Sequence, residues 1–87
     1  MAILIKADGT EEVITIPKQG QLEFLQKQVG GYIEMVSIPK YKGHTGMIVN
    51  EDGRRMALPH NEKATAIYNS PYAIVGNAIL FKNKEIN

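Results

Sequence analysis

Arg54, Arg55, Asn61, Lys63 and Thr65 lie close together in the chain and supply the kinds of donor that bind an anion. A guanidinium presents a rigid fork of N–H groups suited to phosphate or carboxylate. Asn61 reads as the N-cap of a short helix, with Glu62 in its first turn. The backbone N–H groups of residues 62–64 then point outward as an anion site, to which Lys63 and Thr65 add donors. Tyr32, Tyr41 or Tyr68 could pack a base beside it. The plainer readings are a surface ion pair for the arginines, a simple cap for Asn61, a core-edge position for Tyr68 and an outward strand position for Glu34. The chemistry these residues share is capture of a small phosphorylated ligand.

Catalytic chemistry is harder to assemble. The chain has no cysteine, so thiol nucleophiles, thiolate zinc sites and disulfides are excluded together, which fits a reducing compartment. Ser37 and Ser70 sit in no Gly-x-Ser-x-Gly setting. His44 and His60 fall on separate segments without metal-ligand spacing, and no phosphate-binding glycine motif is present. The reading is a non-enzymatic protein with no metal and no cofactor.

The balance of ten basic and nine acidic residues, with a net charge of +1, lacks the basic excess of a nucleic-acid binder and the acidic excess of a DNA mimic. Its densest basic groups are Lys40/Lys42 and Arg54/Arg55. No apolar run reaches the eighteen or so residues of a membrane span. The start, Met1-Ala2-Ile3-Leu4-Ile5-Lys6, reads as a strand and not a leader, so the cytoplasm is the expected address. At 87 residues the chain is one domain, and a body this small gains from self-association, so a homo-oligomer is expected.

The elements that must hold these groups follow from pattern. Residues 2–7 and 12–16 are β-branched runs around Asp8-Gly9, a hairpin ended by Pro17. Leu22, Leu25 and Val29 form one stripe of a helix over 21–29, stopped by Gly30-Gly31. Residues 32–39 read as a strand, 41–46 as a glycine-containing loop, and Met47-Ile48-Val49 as a short strand. Asp52-Gly53 then turns the chain into a returning strand over 54–58, on which Arg54 and Arg55 face opposite ways. A short helix over 62–68 buries Ala64, Ile67 and Tyr68. Residues 73–75 and 78–81 are extended, with Gly76-Asn77 as a turn or bulge between them. The polar residues 83–87 read as a fraying tail.

The expected order is ββα-βββ-αβ. The fold class is α+β: one domain over residues 1–82, with a small mixed or antiparallel sheet, one longer and one short helix. The helices should cover one face of the sheet. A grasp-like arrangement, in which the first hairpin leads into a helix lying across the sheet, is the preferred topology.

Four segments carry a resemblance: Gly31-Tyr32-Ile33-Glu34-Met35-Val36, Val49-Asn50-Glu51-Asp52-Gly53-Arg54, Leu58-Pro59-x-Asn61-x-x-Ala64-Thr65-Ala66 and Ile74-Val75-Gly76-Asn77-Ala78. In these the chain resembles a family of small domains without assigned function, seen mainly in bacteriophages, plasmids and bacterial chromosomes carrying such elements. Asn77 stands where an acidic residue is common in that family. The resemblance implies a phage-type accessory protein that acts by binding, inhibiting host defence proteins or sequestering nucleotide signals as an oligomer. The resulting expectation is an anti-defence protein that sequesters a nucleotide-derived signal. Its rival is a protein–protein module that docks an exposed strand edge, or the Met47-Ile48-Val49 region, on a host enzyme. A subunit of a DNA-processing assembly is a third reading, which the near-neutral charge disfavours.

Overall fold

Asp8-Gly9 closes the first hairpin as its residue types require. Gly9 takes φ 94° and the Asp8 carboxylate accepts the Thr10 N–H at 2.9 Å. In the computed structural model, which describes all residues from Met1 to Asn87, this hairpin is β1 (Ala2–Ile5) and β2 (Glu11–Ile14). Helix α1 (Gln21–Val29) stops at Gly30, whose φ of 81° turns its N–H back to the Gln26 carbonyl at 2.8 Å. Then come β3 (Ile33–Tyr41), β4 (His44–Asn50), α2 (Glu62–Tyr68) and β5 (Ala78–Phe81). All strand pairs are antiparallel, in the spatial order β2-β1-β5-β4-β3. The fold is α+β, strands and helices follow one another in the expected sense, and α1 lies over β3, β4 and β5.

The layering differs from expectation. The helices sit on opposite faces, so the sheet is the middle of three layers. Leu25 and Val29 of α1 pack with Ala2, Leu4, Ile48, Ile79 and Phe81 on one face. Ala64 of α2 packs with Ile3, Ile5, Met47, Val49 and Leu80 on the other. The cause is visible in the central strands. Ala-Ile-Leu-Ile in β1 and Ala-Ile-Leu-Phe in β5 are apolar at every position, so both faces need cover.

Other local expectations are corrected. Residues 41–46 are no loop: Lys42 (φ 49°) and Gly43 (φ 83°) make a two-residue turn that extends both flanking strands. Residues 54–58 are not a returning strand. The Asn50 side chain accepts the Asp52 N–H at 2.8 Å, which bends the chain off the strand line into successive turns through Ala57. Gly53 is needed there for space, since a Cβ at that position would lie 2.7 Å from a Val75 methyl. Leu22 is 56% exposed, because Phe24 takes its place in the α1 stripe.

Residues 83–87 do not fray: Asn83–Glu85 form a 3-10 turn and Ile86 packs beside Phe24 against the α1-side core. The Asn87 N–H donates to the Gln21 side chain at 3.0 Å, and Gln21 donates to the Glu85 carbonyl at 2.7 Å.

Candidate functional site

Two polar groupings lie on the α2 side of the sheet, and each is built by segments far apart in sequence. The first is a cleft of about 490 Å³, within the size range of small-ligand sites. Val36 of β3 and Val49 of β4 face it from the sheet, and Tyr68 at the end of α2 and Ile74 wall it. Its rim carries Glu34, the turn residues Glu51 to Arg55, and Tyr72.

The turn geometry sets what the arginines do. Because 51–57 wind as turns, Arg54 and Arg55 do not alternate across a strand, and both border the cleft. The Arg54 guanidinium lies 5.7 Å from the Tyr72 ring centroid and donates to the Ala73 carbonyl at 3.4 Å. Arg55 is paired with the Asp52 carboxylate three residues before it, while its side chain stays 81% exposed. Glu34 and Glu51 have neither an ion-pair partner nor a side-chain hydrogen bond in the structure. Of the charged groups at the cleft, Arg55 and Asp52 engage each other and Arg54 lies on Tyr72, which leaves Glu34 and Glu51 unengaged.

The second grouping centres on Glu11. Lys63 of α2 reaches its carboxylate at 2.6 Å, Lys42 of the β3–β4 turn at 3.0 Å, and the Tyr41 hydroxyl donates to it at 3.1 Å. Hydrogen bonds from Lys63, then from Lys42, hold the Glu11 carboxyl down at about 2, against the usual glutamate range. Glu11 in turn raises the Lys42 ammonium. β2 and β3 are the two outer strands, so this carboxylate ties opposite edges of the curled sheet together across α2.

Asn61 is fully buried and uses its whole amide. Its oxygen accepts the Ala64 N–H at 3.0 Å; its nitrogen donates to the Ile5 and Gly76 carbonyls at 3.0 and 2.8 Å. Thr65 donates to the Asn61 carbonyl and accepts the Ile74 N–H, both at 2.8 Å. The start of α2 is thus woven into β1 and the segment before β5.

Of the residues singled out in the sequence, Arg54, Arg55 and Tyr68 meet in the cleft. Lys63 and Tyr41 belong to the Glu11 grouping, and Asn61 and Thr65 to the helix start. Tyr32, 68% exposed, stands by Gly30, Gly31 and Met56 in a separate shallow depression. Met47, Ile48 and Val49 are buried on the interior strand β4, and of the three only Val49 lines the cleft. Tyr72 and Glu11 carry no local sign in the sequence, and Glu51 reads there only as part of a solvated turn. Only Glu34, a charge interrupting an apolar strand, carried a signal.

The two histidines serve different places. His44 is buried, with Nε2 2.6 Å from the Met1 carbonyl oxygen and Nδ1 3.2 Å from that of Tyr41. His60 is exposed and stands 3.4 Å from the Thr65 hydroxyl. No group of three or more His, Cys, Asp or Glu side chains is arranged to hold a metal ion. No helix is long and apolar enough to cross a membrane.

A family model described as a domain of unknown function (DUF3846) matches residues 1–86, and the chain belongs to that family. No curated protein and no solved structure matches it.

Proposed function

We propose that this member of the DUF3846 family is a non-catalytic docking protein that adds a strand of another protein to the free edge of β3. The observation that carries this reading is the phase of the β3–β4 ladder. The Glu51 N–H donates to the Tyr32 carbonyl at 2.8 Å, and Ile33 pairs with Asn50. Bonded and non-bonded pairs alternate in an antiparallel ladder, so Glu34 and Val36 turn their backbone groups toward β4. Ile33, Met35 and Ser37 turn theirs away, at the open side of the sheet.

Edge strands usually carry proline, lysine or a bulge that prevents pairing. β3 has all three, but only past Ser37: Pro39, Lys40 and the register shift between Ser37 and Tyr41. The stretch Ile33–Ser37 is left open, with Met35 49% exposed upon it. The setting we infer is the accessory, anti-defence role that the family resemblance implies, with a host enzyme as the docked protein.

Met35→Pro tests it, because proline removes one outward N–H at a position whose N–H makes no bond within the sheet. A host protein recovered stoichiometrically by the native chain should be lost by this variant, with its circular dichroism unchanged. Undiminished recovery by a folded Met35→Pro protein overturns the reading.

A second reading is favoured by Arg54 and Tyr72. A guanidinium held against an aromatic ring at the mouth of a 490 Å³ cleft suits a phosphate and a base of a nucleotide-derived signal, with Tyr68 behind. Calorimetric titration against a panel of cyclic and ADP-ribose-type nucleotides decides it, and silence across the panel ends it.

A further inference from the structure

We propose that the segment docked on β3 is basic, and that one of its lysine or arginine side chains enters the cleft between Glu34 and Glu51. This rests on the strand-addition reading and names the partner's chemistry. Glu34 lies directly opposite Val49. Glu51 is the first residue of the turn after β4, its N–H bonded to the Tyr32 carbonyl, and it lines the same cleft as Glu34. They are diagonal neighbours, whose Cα atoms lie roughly 7–8 Å apart, so one cation can sit between both carboxylates. Both are unengaged, whereas Arg55 is paired with Asp52 and Arg54 lies on Tyr72.

The rest of the cleft suits the same guest. Alternate side chains of a strand added outside β3 share the face of Glu34 and Val36 and point over the cleft. Reaching Glu51 from there means crossing β3, which a lysine or arginine stem can do by lying along Val36 and Val49. Tyr68 lines the far wall as an aromatic surface of the kind cations favour, while Tyr72 already carries Arg54. The charged side chains of the cleft, Glu34, Glu51, Asp52, Arg54 and Arg55, sum to −1, which disfavours an acidic or phosphorylated segment.

A second copy of this chain fits less well. The self-pairing register that sets Lys40 opposite Glu34 also sets Pro39, which has no N–H, opposite Met35. That register also runs into the β3 bulge.

Three peptides of seven residues test the proposal on the intact chain: threonine alternating with lysine, with norleucine and with glutamate. Binding is read by fluorescence anisotropy, and the site by amide exchange of Ile33, Met35 and Ser37. The lysine peptide should bind about tenfold or more tighter than the norleucine peptide at low salt, protect those amides, and lose its advantage in Glu34→Gln/Glu51→Gln. If the norleucine peptide binds equally well and protects the same amides, the cation proposal falls and strand addition stands. If the lysine peptide binds without protecting them, strand addition falls. If no peptide binds, both fall. If the chain self-associates through β3 and thereby excludes the peptides, the occupant is a second copy and the basic partner is overturned.

Discussion

The Glu11 grouping and the cleft are built from similar residues, yet their charge balance is opposite. At Glu11 three donors from β3, its turn and α2 converge on one carboxylate, and none of its oxygens lacks a partner. In the cleft two guanidinium groups are occupied locally while Glu34 and Glu51 stay unengaged. The first arrangement consumes its polarity in holding the fold. The second keeps polarity in reserve, at modest cost because the groups remain in contact with water. Side-chain type alone does not separate the two cases: Tyr41 and Lys63 read as ligand residues, and in the structure their polar groups meet Glu11.

The contrast can be broken at the structural end first. Asn61→Ala should have the largest effect. It strips partners from the Ala64 N–H and the Ile5 and Gly76 carbonyls in a fully buried setting. Thermal or denaturant unfolding should register a loss of about 2–4 kcal/mol.

Glu11→Gln should cost less, on the order of 1–2 kcal/mol after solvent screening of the two lysines. It should also change the acid profile. The folded carboxyl titrates near 2 against an ordinary value of 4.5, so its contribution is complete above about pH 4.5 and is lost as pH falls toward 2. Urea unfolding of the native chain across that window should show this added loss, and the variant should lack it. An unchanged profile would place Glu11 among ordinary surface carboxylates.

The cleft should answer in the other direction. Glu34→Gln/Glu51→Gln should leave stability within about half a kcal/mol of the native chain, while abolishing the preference for a lysine peptide. A marked loss of stability would erase the distinction between the two regions.

The parts of the molecule legible in sequence are those decided by neighbours in the chain. Asp8-Gly9 as a turn, the bounds of α1, and Asn61 as a cap all follow from a few adjacent residue types. The cap's second role, bonding Ile5 and Gly76, depends on pairing β1 with β5 and has no local sign. The two-sided cover of the sheet was written in the uninterrupted apolar runs of β1 and β5, yet a two-layer expectation hid it. The arginine turn was misread because Asp52-Gly53 resembles a hairpin. The Asn50 side chain and the tight approach of Gly53 to Val75 decide otherwise, and the second of these is a long-range fact. The cleft itself joins residues from position 34 to position 75.

The sheet keeps two sets of packed side chains apart, with Leu25 of α1 on one side and Ala64 of α2 on the other. Substitutions separated in this way add nearly independently. The α1 side can therefore drift through generations of hydrophobic exchange while the face bearing Glu34 and Tyr72 is held constant by selection, and the reverse holds as readily. A lineage pressed to follow a changing partner has one half of the molecule free to revise without reopening the other.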